Sequence, residues 1–173
     1  MTKLTRRLVR ELLETIILAV VLAFILRGFV AETFIVDGYS MEPSLHNGER
    51  LLVNKLAYRL GEPERGDIVV FRFPLDPSRD FIKRVIGLPG DEIEVRGNRV
   101  FVNGQPLSED YILPDQDPVS FPNLRVPAGE LFVMGDNRGN SDDSRIFGPV
   151  KIDLVKGQAM FVYWPFSNFR ILP

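Results

Sequence analysis

The hydrophobic positions change their period once along the chain. From Leu12 to Ala31 they form a nearly unbroken apolar block, strongest between Ile16 and Leu26, with Glu14 and Arg27 near its ends. Roughly 20 mostly apolar residues are what a helix needs to cross a bilayer, and charged side chains near the ends can snorkel toward head groups. Lys3, Arg6, Arg7 and Arg10 all precede the block, a bias that puts the N-terminus in the cytoplasm and the remainder outside. The pattern predicts a basic tail over 1–10, an anchor helix over 11–31 and a separate domain over 32–173. Two other arrangements share it. One is a cleaved secretory signal, although bulky Phe29 two residues before Ala31 makes a poor cleavage site. The other is a buried helix of a soluble protein.

Beyond Phe34 the apolar residues come in short runs punctuated by Gly, Pro, Asn and Asp, which predicts an all-β domain of short strands. The expected strands are Phe34–Val36, Arg50–Val53, Ile68–Phe73, Phe81–Ile86, Glu92–Val95, Arg99–Val102, Leu131–Met134 and Gln158–Tyr163. Gly97-Asn98 between two of them is a hairpin signal, and Leu88-Pro89-Gly90-Asp91 reads as a turn. The Pro- and Asp-rich stretch 105–129 reads as a long surface excursion. Tyr163-Trp164-Pro165-Phe166 and Phe169 fit either a membrane-interface contact or a strand end packed into the core.

Composition removes chemistries rather than adding them. The chain has 173 residues and a formal net charge of −2, enough for one globular domain and an appendage. Its mild acidity argues against nucleic acid as a partner. There is no cysteine and one histidine, His46, which excludes disulfides, thiolate catalysis and cysteine metal sites and argues against imidazole metal sites. No metal or cofactor is expected.

Three polar constellations remain. Ser40 lies in Asp37-Gly38-Tyr39-Ser40-Met41-Glu42-Pro43-Ser44-Leu45, a segment flanked by Gly and Pro after a strand. A serine in such a turn can present its hydroxyl and its N–H to one carbonyl, as acyl transfer requires, but ordinary turn serines look the same. His46, in a His-Asn-Gly sequence, reads as a solvated loop residue without an orienting partner. Lys83 and Arg84 interrupt an otherwise apolar strand and must point to opposite faces. Burial would lower the lysine pKa toward that of a general base; an edge strand facing water would explain the same two charges. The third constellation, Gly135–Arg145, mixes acidic residues with Arg138 and lacks calcium-loop spacing, which fits a buried ion-pair network beside a site.

Taken together, Ser40-Met41-Glu42-Pro43, Gly66-Asp67-Ile68-Val69-Val70-Phe71, Lys83–Asp91 and Gly135–Arg145 resemble, in order and spacing, the motifs of bacterial type I signal peptidases over essentially the whole chain. The resemblance implies a serine endopeptidase with the β fold shared with self-cleaving repressors, hung from one transmembrane helix in a bacterial-type plasma membrane with its catalytic domain on the outer side. It implies Ser40 as nucleophile, Lys83 as general base and Ser141 as the hydroxyl that orients the lysine. Asp143 with Arg145, and Asp136 with Arg84, match charged residues that brace the site. Some relatives carry a serine where Gly38 stands, donating to the oxyanion beside the Ser40 N–H, so the second donor is open here. The implied substrates are secretory pre-proteins with small residues before the cut, bound in extended form. Phe34, Val36, Met41 and Ile82 are the expected lining, or else plain core. Membrane lipid is the other expected partner. Two alternatives stand beside this one: a self-cleaving Ser/Lys repressor-type peptidase, and a catalytically silent membrane-tethered binding domain.

Overall fold

A computed structural model describes residues 3–97, 99–113 and 120–173. The apolar block forms helix α1 (Lys3–Ile25), which runs through a π-helical turn at Leu26–Val30 into strand β1 (Ala31–Ile35). Leu is the commonest residue of α1, and its solvent-side charges pair at i, i+4, Arg7 with Glu11 and Arg10 with Glu14. The stretch Arg10–Val30 has a mean hydropathy of 2.3 and is not buried against the domain at all. A core helix of a soluble protein would be covered, so that alternative falls. Ala31, expected as the last anchor residue, instead opens β1.

The remaining elements are strands β2 (Arg50–Asn54), β3 (Ile68–Phe73), β4 (Asp76–Gly87), β5 (Glu92–Arg96), β6 (Arg99–Val102), β7 (Gln105–Pro106), β8 (Phe121–Arg125), β9 (Glu130–Met134), β10 (Val150–Lys151), β11 (Val155–Trp164) and β12 (Arg170–Ile171), with one-turn helices α2 (Ala57–Leu60) and α3 (Ser144–Phe147). The main sheet runs β1-β2-β11-β3-β4-β9-β10, with β12 on β11; the smaller sheet runs β7-β6-β5-β8. All pairings are antiparallel. Every strand expected from the pattern is present, two with the expected ends and the others with shifted ones. Val36 lies just past β1, and β4 starts five residues earlier than Phe81, because its exposed first half has no apolar alternation to mark it.

The stretch 105–129 is not only a surface excursion. It supplies β7 and β8, which pair with β6 and β5. β8 carries Pro122 and Asn123 and is an edge strand with only two half-buried positions, so the alternation that betrays a strand is nearly erased. Residues 114–119 lie outside the described residues, as does Asn98 of the expected hairpin turn, though Arg96 and Arg99 pair across it.

Three apolar clusters hold the sheets together. One packs Val36, Met41, Leu45 and Leu51 against Val70 and Val162 under the β1–β2–β11 end. A second joins the sheets through Ile86, Ile93 and Phe132. The third packs Phe71, Val85, Leu131 and Val150 on β3, β4, β9 and β10. β4 lies between β3 and β9 in the middle of the main sheet, so Lys83 and Arg84 do not belong to an edge strand.

Candidate active site

β4 presents Lys83 and Arg84 to opposite faces, and both are buried, at 4% and 3% exposure. On the Lys83 face, Nζ lies 2.7 Å from Ser40 Oγ and donates to the Ile82 carbonyl at 3.0 Å. The Phe81 ring lies 5.2 Å from the amine. Among the described residues no carboxylate comes within ion-pair distance of it. Burial pushes the Lys83 pKa down to about 8, against a weaker upward pull from Asp143, Asp142 and Asp136. The amine stays mostly protonated at neutral pH but holds a neutral minority that an exposed lysine lacks, and it becomes mostly neutral above about pH 8.

Ser40 sits at the start of a turn between β1 and β2. The segment turns at Gly38, whose φ of 99° suits glycine, and is closed by Leu45 N–H donating to the Met41 carbonyl at 2.9 Å. The Gly38 N–H donates to Asn47 Oδ1 at 2.9 Å. That donor is engaged in the turn. The turn is held from the other side by the Gly135–Arg145 loop: Asn137 N–H donates to the Ser40 carbonyl at 3.1 Å, and Asn137 Nδ2 to the Tyr39 carbonyl at 3.1 Å.

On the Arg84 face the guanidinium clamps Asp136 with two hydrogen bonds, 2.9 and 2.7 Å, and donates to the Gly66 carbonyl and Ser44 Oγ. It also stacks 4.0 Å over the Tyr111 ring. Arg84 thus ties β4 both to the Ser40 turn, through Ser44, and to the loop after β9, through Asp136. Asp143 is fully buried, accepts from Gly135 N–H at 3.1 Å, and pairs with Arg145 at 2.7 Å; Arg145 donates onward to the Arg138 carbonyl. The two expected ion pairs are both present.

A third pair was not foreseen. Arg138, buried in the same loop, donates to the Gly135 carbonyl at 3.0 Å and bonds Glu109, whose other contact is the Tyr111 hydroxyl at 2.9 Å. Glu109 and Tyr111 come from the segment read as a surface excursion. Nothing in their local pattern announces a partner 29 residues away.

Ser141 lines the same cleft as Ser40 and Lys83, but the expected hydrogen bond to Lys83 is not made. Its Oγ is buried without a partner among the described residues. Gly135 explains how the pieces crowd together: a Cβ there would collide with Ser141 Oγ on one side and the Ser40 carbonyl on the other. The absence of a side chain at 135 lets the two serines approach.

The cleft has a volume of about 730 Å³ and runs between residues 34–40, at the end of β1, and 79–83 on β4. Phe34, Val36 and Ile82 line it as expected; Met41 does not. Met41 is 1% exposed and packs in the core under the turn, because Ser40 and Met41 point to opposite sides of the chain where it bends. His46 is exposed, 3.5 Å from Glu42, and is not among the cleft-lining residues. Trp164, Phe166 and Phe169 are exposed rather than packed into the core. No group of three or more His, Cys, Asp or Glu among the described residues could hold a metal.

The family model for signal peptidase, peptidase S26, matches residues 9–164. The chain belongs to the signal peptidase family, peptidase S26. Similar relatives include a probable signal peptidase I-1 of Synechocystis sp., 42% identical over 168 residues, covering 93% of this chain and 85% of that one. A signal peptidase I of Bacillus licheniformis is 39% identical over 170 residues, covering 92% and 91%. A signal peptidase IB of Staphylococcus aureus is 38% identical over 184 residues, covering 93% and 94%. The crystal structure of a signal peptidase I from Enterococcus faecalis superposes with a TM-score of 0.50 at 39% identity, over 56% of this chain and 95% of that one. As a member of this family the chain is a signal peptidase I, a serine endopeptidase that removes signal peptides from pre-proteins. Both the repressor-type and the silent-domain alternatives give way to it.

Proposed function

We propose that this peptidase works through a Ser40–Lys83 dyad, and that the 2.7 Å contact between Oγ and Nζ is the observation that carries the proposal. Neutral Lys83 takes the Ser40 proton as Oγ attacks the scissile carbonyl, and the Ser40 N–H faces the developing oxyanion. The resulting ammonium protonates the leaving amine, and the C–N bond breaks to give an acyl-enzyme. Lys83 then deprotonates a water that releases the acyl group as a carboxylate. The Ile82 carbonyl holds the amine in place throughout. Ser141 Oγ, buried and unpartnered in the same cleft, is the acceptor to which the ammonium turns once Ser40 is acylated.

The substrate lies in the cleft as an added strand, between the end of β1 and residues 79–83 of β4. Phe34, Val36 and Ile82 give it an apolar patch, which suits the small side chains before the cut. α1 crosses the membrane with its basic end in the cytoplasm, and places the domain on the opposite side, where signal peptides emerge.

The test is cleavage of a signal-peptide-bearing precursor by the detergent-solubilised full chain. Cleavage after a small-x-small motif is expected, with a fall of about 10³-fold or more for Ser40→Ala and for Lys83→Ala while both stay folded. Normal cleavage by Lys83→Ala would overturn the dyad.

A further inference from the structure

A second cavity, of about 610 Å³, opens where the anchor joins the domain and shares no lining residue with the cleft. Its position follows from Lys55, the residue after β2. The Lys55 N–H donates to the Val30 carbonyl at 2.9 Å, and Lys55 Nζ to the Gly28 carbonyl at 3.1 Å, both at the C-terminal end of the anchor. Arg59 on α2, Arg72 on β3 and Lys156 on β11 complete a ring of cations, with Glu32 and Asp153 as the carboxylates. Two of these charges are matched: Lys55 lies 3.3 Å from Glu32, and Lys156 lies 2.6 Å from Asp80. Arg59 and Arg72 are exposed, and neither makes an ion pair or side-chain hydrogen bond among the described residues. Behind them Tyr58 fixes α2 by donating to Asp67 at 2.8 Å.

Two unpaired guanidinium groups at one mouth are notable in a chain whose net charge is −2. A guanidinium fork matches two oxygens of a phosphate. The Val30 carbonyl that Lys55 N–H meets belongs to the last residue of the 21-residue span Arg10–Val30, which sets the cavity at the depth of the lipid phosphates. We propose that this cavity binds the phosphate of an anionic phospholipid in the leaflet facing the catalytic domain, a proposal that rests on α1 spanning the membrane. The bound lipid pins the foot of the domain to the leaflet beside its own anchor.

The test uses the full chain in nanodiscs of equal phosphatidylcholine and phosphatidylglycerol, with retained lipid counted by native mass spectrometry. The wild type is expected to keep phosphatidylglycerol preferentially. The double variant Arg59→Gln/Arg72→Gln is expected to lose about tenfold or more of that preference, as two cations near an anionic surface imply, while cutting a short soluble peptide at the wild-type rate. Equal retention of both lipids by the wild type, or a preference that survives the double variant, overturns the proposal. So does inorganic phosphate binding the detergent-solubilised wild type as tightly as the lipid does, which would make the cavity a site for a soluble anion. Alkaline carbonate extraction of the same membranes separates the two claims. A chain that stays in the pellet without lipid preference sinks the lipid site alone; a chain released to the supernatant sinks the spanning anchor as well.

Discussion

On one face of β4 Lys83 is buried beside a serine hydroxyl and a carbonyl, with its pKa lowered to about 8. On the other face Arg84, equally buried, is clamped by Asp136 and stacked on Tyr111. The neighbours share a backbone and a degree of burial and differ in what meets them. A buried cation without a counter-charge is held toward its neutral form and can take a proton. A buried cation with a bidentate carboxylate stays charged and becomes a brace. Arginine suits the second place, since it does not give up its proton, and lysine suits the first.

The largest effect expected from breaking this contrast is on stability, on the Arg84 face. Asp136→Ala leaves the guanidinium buried without its partner and should destabilise the fold by about 3–5 kcal/mol, measured as a shift in urea midpoint. Replacing Arg84 and Asp136 together by apolar residues of similar volume should recover most of that loss.

On the Lys83 face the sign reverses. The folded-state pKa lies below the unfolded one, so the unfolded chain binds more protons between about pH 8 and 10.5, and stability rises with pH across that window. Below it the fold carries the full penalty of burying the ammonium. Lys83→Met should therefore stabilise the inactive protein by about 2–3 kcal/mol at pH 7, with the gain fading toward pH 10.5. The same titration sets the wild-type rate, which should climb about tenfold per pH unit below about 8 and level off above it. A flat profile from pH 6 to 9 with chemistry rate-limiting would break the comparison.

Ser141→Ala should separate function from folding more finely. Its hydroxyl is buried and unpartnered, so removing it should leave stability unchanged or raise it by about 1 kcal/mol. Loss of the acceptor for the ammonium should lower kcat about tenfold and shift the pH limb. A drop in stability instead would mean the hydroxyl is bonded in solution. The smallest effect expected is at His46, which is exposed and away from the cleft-lining residues: His46→Ala should cleave at the wild-type rate within about twofold.

Much of this is legible in the sequence. Lys83 and Arg84 announced themselves by interrupting an apolar run, and strand alternation alone sent them to opposite faces. The mixed charges of Gly135–Arg145 signalled ion pairing, and two of its pairs were anticipated by resemblance. Glu109 and Tyr111 were missed because their segment has no period and their partners, Arg138 and Arg84, lie far away in sequence. β8 was missed because an edge strand with a proline buries too little to leave an alternating trace. Met41 was left between cleft lining and core, and took the core place, because adjacency to Ser40 says nothing about which way a side chain turns at a bend.

What the sequence determined by itself is what depends on neighbours along the chain. That covers the apolar length and leading positive charge of the anchor, the strand alternation, the turn signals and the motif order that marks the family. What the tertiary structure alone decided is what depends on separate segments meeting: which of two adjacent cations finds a carboxylate, which hydroxyl is left unpartnered, and which donor at Gly38 is already engaged. The physical reason is that a pKa or a hydrogen bond is set by desolvation and partners within a few ångströms. At Ser40 and Lys83 those partners come from strands and loops 43 positions apart along the chain.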